Sequence, residues 1–274
     1  MKSIFKAFKR SVPENKHDSI KAEQHDLVRS WTSSILNLPT VEVPDPKFIE
    51  HFVLQRTDRF KELGGGPALR SWFETGETYQ ISDFLLSQKK LETFLNQTID
   101  DLEQEWRLIS RSCDHKIGGK WVSIGPGNGM FEMVAYRTKK YDQLLLIDIE
   151  TTTGKHHHGF ETSGAGYASL AATKKFLLSN GLSKVEISTC NPHHAKLPAS
   201  RFDFLISLYS MGFHYPIEFY VDYLMANSAI GSRVVLDVRK ETTREELDRL
   251  ETWFSSTVIV DRQKSQRLLL TRQN

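Results

Sequence analysis

The sequence predicts an α/β protein built on a doubly wound, mostly parallel sheet with a helical stretch in front of it. Three observations predict this. After Gly118-Gly119, short apolar runs alternate with helix-like segments, the rhythm of strand–helix–strand units. The first run, Trp121-Val122-Ser123-Ile124, ends at three alternating glycines, Gly125, Gly127 and Gly129, and a helix-like segment from Met130 to Tyr136 follows. The last two runs are joined by only Arg262-Gln263-Lys264-Ser265-Gln266, too short for a parallel crossover, so the sheet should close with an antiparallel hairpin.

Taken in order, residues Met1 to Arg10 place Ile4, Phe5 and Phe8 at helical spacing among Lys2, Lys6, Lys9 and Arg10. Such a basic amphipathic turn either packs its phenylalanines as a frayed terminus or makes weak peripheral contact with an anionic bilayer. From Ser19 to Ser112 the pattern is helical. Leu27, Trp31, Ile35 and Leu38 mark one helix stopped by Pro39, and Phe48, Phe52 and Phe60 mark another stretch before Gly64-Gly65-Gly66. A single long helix is predicted from Ser82 to Ser110, with Phe84, Leu91, Phe94, Leu95, Ile99, Leu102 and Trp106 on its apolar stripe. Nothing in this stretch carries evident chemistry, so residues 1–115 read as a helical extension or cap that could cover a site, and residues 116–274 as the sheet domain. Within the latter, seven strands are predicted: Trp121–Ile124, Gln143–Asp148, Lys184–Ser188, Phe202–Leu208, Arg233–Val238, Thr257–Asp261 and Arg267–Thr271. A helix from about Ser163 should stop at Asn180-Gly181, a good C-terminal cap.

Composition narrows the class. At 274 residues, with 39% hydrophobic and 26% charged side chains, the chain is an ordinary globular one able to bury a sizeable core. A net charge of +2, with no basic stripe or target-reading module, argues against a nucleic-acid partner. Cys113 and Cys190 are the only cysteines, which points to a reducing, cytoplasmic compartment. Lysines interrupt the first apolar residues, so no secretory signal is expected, and no apolar run is long enough to span a membrane. Oligomeric state is left open.

The glycine corner and the apolar run Leu144-Leu145-Leu146-Ile147, which delivers Asp148 about twenty residues later, form the layout of a nucleoside site. Glycine lets a ligand approach the main chain, and a carboxylate after the second strand holds ribose hydroxyls. With the terminal hairpin, residues Gly118 to Asn274 resemble class I S-adenosylmethionine-dependent methyltransferases, a Rossmann-like fold whose seven-stranded sheet closes with a reversed last strand. The resemblance implies S-adenosylmethionine as cofactor, with Gly125, Gly127, Asn128 and Gly129 beside its methionine part and Asp148 and Ile149 at its ribose. It further implies Asn191 near the adenine and Ser207 at the end of the fourth strand. One position departs: the family often has an acid two residues before the first glycine, where this chain has Ser123.

Two further stretches are similar to bacterial sugar O-methyltransferases: His156-His157-His158-Gly159-Phe160 with Gly164-Ala165-Gly166-Tyr167, and Ser207-Leu208-Tyr209-Ser210-Met211-Gly212-Phe213-His214-Tyr215-Pro216. That resemblance implies O-methylation of a sugar hydroxyl in a polysaccharide or glycoconjugate, with a saccharide acceptor as partner. His214 and His158 become the candidate bases, and His157, Tyr167 and Tyr215 the candidate acceptor contacts. A neutral hydroxyl is a weak nucleophile, and a histidine within hydrogen-bond reach removes its proton. The resemblance leaves room for a divalent ion, but the sequence shows no clear carboxylate pair for one and no metal ligand is assigned. Other acceptors (small non-sugar molecules or proteins), a nicotinamide-dependent oxidoreductase and a non-catalytic binding module stay open on the residues alone, because fold does not fix function.

Overall fold

The computed structural model describes residues 41–43, 48–114, 117–150, 169–241 and 244–273. The amphipathic turn of residues 1–10, the helix carrying Leu27 to Leu38, and the loop bearing His156, His157, His158 and Tyr167 all lie outside the described residues.

The sheet has the expected seven strands: β1 Lys120–Ile124, β2 Gln143–Ile147, β3 Glu186–Cys190, β4 Phe202–Ser207, β5 Ser228–Arg239, β6 Phe254–Asp261 and β7 Ser265–Arg272. Their order across the sheet is β3-β2-β1-β4-β5-β7-β6. Neighbours from β3 through β5 pair in parallel, while β7 runs antiparallel to both β5 and β6. The two ends of the fold were thus both predicted from sequence, a parallel centre and a reversed final strand.

Why the central strands are near-continuous apolar runs is clear from where successive side chains go. Trp121, Leu144, Leu146, Phe204 and Ile206 enter one hydrophobic cluster, and Val122, Ile124, Leu145, Ile147 and Leu205 enter another. Alternate residues point to opposite faces of a strand, so a sheet covered on both faces has no polar side. On the first face pack the amino-terminal helices, α1 Phe48–Gln55, α2 Thr57–Glu62, α3 Gly66–Thr75, α4 Tyr79–Ser87 and α5 Leu91–Ser112, with α6 Met130–Thr138 and α7 Leu170–Ser179. On the second lie α8 Glu218–Asn227 and α9 Arg244–Glu251. One core therefore runs from Val41 through the amino-terminal helices into the sheet. Trp121 is its hub: the indole stacks on Tyr141 at 4.3 Å between ring centroids and meets Trp106 of α5 at 5.6 Å.

Several predicted elements differ in their bounds: β5 starts at Ser228 and β6 at Phe254, both earlier than predicted, and the helix predicted from about Ser163 is α7, which starts at Leu170. The long helix from Ser82 is two helices broken after Ser87, because Lys89 adopts a left-handed backbone (φ 53°). The Lys90 N–H closes the turn onto the Leu85 carbonyl at 2.8 Å, and the Lys90 ammonium donates to the Leu63 carbonyl at 2.7 Å. β3 starts two residues later than predicted, at Glu186, since Val185 N–H is taken by the turn carbonyl of Leu182. α7 is capped by Ser169 and ends at Asn180 and left-handed Gly181, the predicted stop. Both cysteines are buried and free. Among the described residues no helix is long and apolar enough to cross a membrane.

Candidate functional site

The carboxyl ends of β1, β2 and β4 open onto a cavity of about 710 Å³, within the range that holds a nucleoside-sized ligand. Of the residues singled out in the sequence, Gly125, Gly127, Asn128, Asp148, Ile149, His214 and Tyr215 line it.

The corner is held by backbone that only glycine enters freely. Gly125, Gly127 and Gly129 have φ of 69°, 57° and 81°. The Gly125 N–H still donates to the Ile147 carbonyl at 2.8 Å, so the chain leaves the β1–β2 ladder only after that bond. A Cβ on Gly125 would fall 2.1 Å from Ser210 Oγ, closing the gap between the corner and the loop after β4. Gly129 does a different job: it opens α6 and lets Thr173 and Leu177 of α7 pack close, with an added Cβ 2.9 Å from Thr173 Cγ2. The Asn128 side chain accepts the Met130 N–H at 2.9 Å, capping the first turn of α6.

Asp148 sits deep in this cavity, with part of its surface still facing it. Burial, then the nearby charge of Glu150, pushes its carboxyl up to about 7, while N–H bonds from Ile149 and Gly127 only partly offset this. Corner and carboxylate stand on the wall of the same cavity, close enough for the Gly127 N–H to act on the Asp148 charge. An acid whose folded pKa is raised from the ordinary ~3.9 binds more protons folded than unfolded across that window. Its contribution is complete at low pH and is lost as pH rises from about 4 through about 7. In the ligand-free protein, Asp148→Asn should therefore raise stability at pH 8 by on the order of 2 kcal/mol and have little effect near pH 4. Melting curves at both pH values check this, and an equal effect at both would contradict it.

The loop after β4 carries His214. Ser210 O accepts the N–H groups of Phe213, His214 and Tyr215 at 3.0, 2.8 and 3.0 Å, and left-handed Gly212 (φ 85°) makes the tight turn possible. Arg239 of β5 braces it: its Nε donates to the Phe213 carbonyl at 2.6 Å and its guanidinium lies 5.0 Å from the Phe213 ring. Tyr209, with a left-handed backbone (φ 54°), turns into the same cavity. Asn191 and Ser207 are at strand ends, as expected, but their side chains serve their own loops. Asn191 Oδ1 accepts the His193 N–H at 3.0 Å, and Ser207 Oγ accepts the Met211 N–H at 2.9 Å. A second hollow, about 370 Å³, lies beyond Asn191 between Pro192, Lys196 and Phe219 and shares Tyr215 and Tyr220 with the first.

Two contributors were not singled out residue by residue from the sequence, although the helical extension was expected to be able to cover a site. The amino-terminal helices do not merely cover the sheet: Gln55, Arg56, Arg59, Thr98 and Asp101 line the cavity. Gln55 Oε1 accepts the Asn128 N–H at 3.1 Å, and Arg59 forks onto both oxygens of Asp101 at 2.6 Å, tying α2 to α5. The other is Glu132, whose carboxylate accepts from Ser123 Oγ at 2.5 Å inside the cavity wall. Its neighbours Met130, Phe131, Met133, Val134 and Ala135 are all apolar, and a helix apolar all round is buried, which was the available signal.

No family model matches the chain, and no curated protein matches it. Solved structures do. An rRNA methylase from Streptococcus thermophilus is 11% identical, with a TM-score of 0.41 over 61% of this chain and 96% of that one. A tRNA m1G37 methyltransferase from M. jannaschii is 13% identical, with a TM-score of 0.40 over 60% of this chain and 48% of that one. The cyclase SpnF is 12% identical, with a TM-score of 0.44 over 62% and 80%. At such identities the likeness is one of fold. The expectation of a saccharide partner with nucleic acid excluded is corrected here: proteins named for methylating rRNA and tRNA are among those similar to this chain.

Proposed function

We propose that the chain is an S-adenosylmethionine-dependent methyltransferase, and that it transfers the methyl group to an oxygen. The observation that carries this reading is the glycine corner and the Asp148 carboxylate, which together line the wall of one nucleoside-sized cavity. The residues present fit such a donor: a main chain that a ligand can approach closely, and a carboxylate able to accept from vicinal hydroxyls. When bound, the donor supplies a methyl group on a sulfonium, already activated by the positive leaving group.

The chain's own residues then have three tasks. The corner and Asp148 orient the donor, which removes much of the entropic part of the barrier. The loop after β4 holds His214 at the cavity, where it takes the proton of an acceptor hydroxyl. The helices α1, α2 and α5 wall the cavity from bulk water. The two free buried cysteines support a cytoplasmic location.

Titration calorimetry with S-adenosylmethionine and with NAD tests the donor, and binding of NAD alone would overturn the reading. A methyl-labelled donor, incubated with the protein and separate RNA, protein, glycan and small-molecule fractions, tests transfer and returns the acceptor class. Donor binding with no label transferred to any fraction would leave a binding module in place of an enzyme.

A further inference from the structure

Glu132 is the least expected group in the cavity wall. It sits in the first turn of α6, only 2% exposed, and the carboxylate accepts from Ser123 Oγ through one oxygen alone. The other oxygen, Oε2, is sealed from bulk water and has no hydrogen-bond partner among the described residues. No salt bridge there reaches it: the arginines of the cavity are taken, Arg59 by Asp101 and Glu62, Arg56 by Glu105. Tyr141 also reaches this residue, but its hydroxyl donates to the Glu132 backbone carbonyl at 3.0 Å and not to the carboxylate. Burial pushes this acid up to about 7, although the Ser123 hydrogen bond pulls the other way.

A buried carboxylate with an idle oxygen is expensive unless a proton or a cation meets it, and native structures seldom keep such a group without a use. Position supplies the use. Ser123 stands two residues before the glycine corner and Glu132 three residues after it, so the pair brackets the corner, and both belong to the wall of the same cavity as Asp148. Asp148 follows β2 in that cavity, where a carboxylate accepts from ribose hydroxyls. Glu132 has the Ser123 hydroxyl and its own backbone N–H, and its Oε2 is left without a partner.

We infer that Glu132, held in place by Ser123, is a binding subsite for the ammonium group at the amino-acid end of the methyl donor. The inference rests on the donor reading above for its ligand. It assigns the two buried carboxylates to the two ends of one molecule, Asp148 to the sugar and Glu132 to the charged tail.

The experiment compares two ligands that share adenosine and a thioether and differ in the tail. S-adenosylhomocysteine carries the ammonium; 5′-methylthioadenosine does not. Calorimetry should show that Glu132→Gln, nearly isosteric, weakens S-adenosylhomocysteine by roughly 10- to 100-fold, the size of a charge-assisted hydrogen bond. Affinity for 5′-methylthioadenosine should stay within about threefold, which also reports that the variant is folded. Ser123→Ala, which frees the carboxylate to turn away, should show the same selectivity at smaller size. Equal losses for both ligands would mean that Glu132 only shapes the cavity, and no loss for either would mean that a proton satisfies it; each overturns the inference. Wild-type protein that binds neither ligand overturns the donor reading itself.

Discussion

Alanine at His214 is expected to lower methyl transfer by about 10²- to 10⁴-fold, or ~3–5 kcal/mol of barrier, with donor affinity nearly unchanged. The separation follows from where the groups sit. The corner and Asp148 belong to β1 and β2, whereas His214 hangs from the turn after β4, whose shape is fixed by main-chain bonds to Ser210 O and by Arg239. Removing the imidazole leaves those bonds intact, so the turn and the donor side of the cavity should persist. A fall in kcat with the donor dissociation constant unchanged is the signature of a group used at the transition state and not in ground-state binding. His214→Gln, which keeps polarity and bulk without a base, should be as slow as alanine. Unchanged turnover in either variant would remove His214 from the chemistry, and a matching loss of donor affinity would make it a structural part of the loop.

How much of this could be read from the chain depends on the range of the interactions involved. The corner was legible because its signal is local: φ above zero at Gly125, Gly127 and Gly129 is a property of single residues set between an apolar run and a helix. The reversed last strand was legible because a short link leaves no alternative, and the hairpin is tighter still, with Ser265 already in β7. The cavity's outer wall was not. Gln55 meets Asn128 across 73 residues, and nothing in a helix of ordinary composition announces which of its polar residues will face a ligand. The break at Lys89 was hidden for the opposite reason. Lysine is a good helix former, and only the long-range pull of the Leu63 carbonyl on Lys90 shows why the chain turns there. Asn191 and Ser207 do stand at strand ends, yet each side chain caps its own turn, a choice between local and ligand hydrogen bonds that spacing does not encode.

The second large effect is on stability. Arg267 of β7 is 1% exposed and forks onto Asp237 of β5, itself fully buried, with Nε to Oδ1 at 2.9 Å and Nη2 to Oδ2 at 2.6 Å. Nη2 also reaches Glu105 of α5 at 2.6 Å, and Glu105 in turn meets Arg56 at 3.3 Å beside the cavity. The chain of charges thus fastens the amino-terminal helices to the reversed strand. Arg267→Met should cost about 3–5 kcal/mol, because it leaves the buried Asp237 carboxylate with only the longer contact from Arg262 Nη1 at 3.5 Å. Adding Asp237→Leu should recover most of that loss, since an apolar pair of similar volume removes both the attraction and the desolvation penalty. Glu105 keeps Arg56, so the double variant leaves no carboxylate without a partner on that side. Donor affinity should fall in the single variant and return in the double, because α5 carries Thr98 and Asp101 of the cavity wall and the ring of Tyr209 lies 6.0 Å from the Arg267 guanidinium. Denaturant unfolding of the three proteins decides it. A single variant within about 1 kcal/mol of wild type would show that the buried fork does not hold the helices to the sheet, and that apolar packing around Trp121 does so alone.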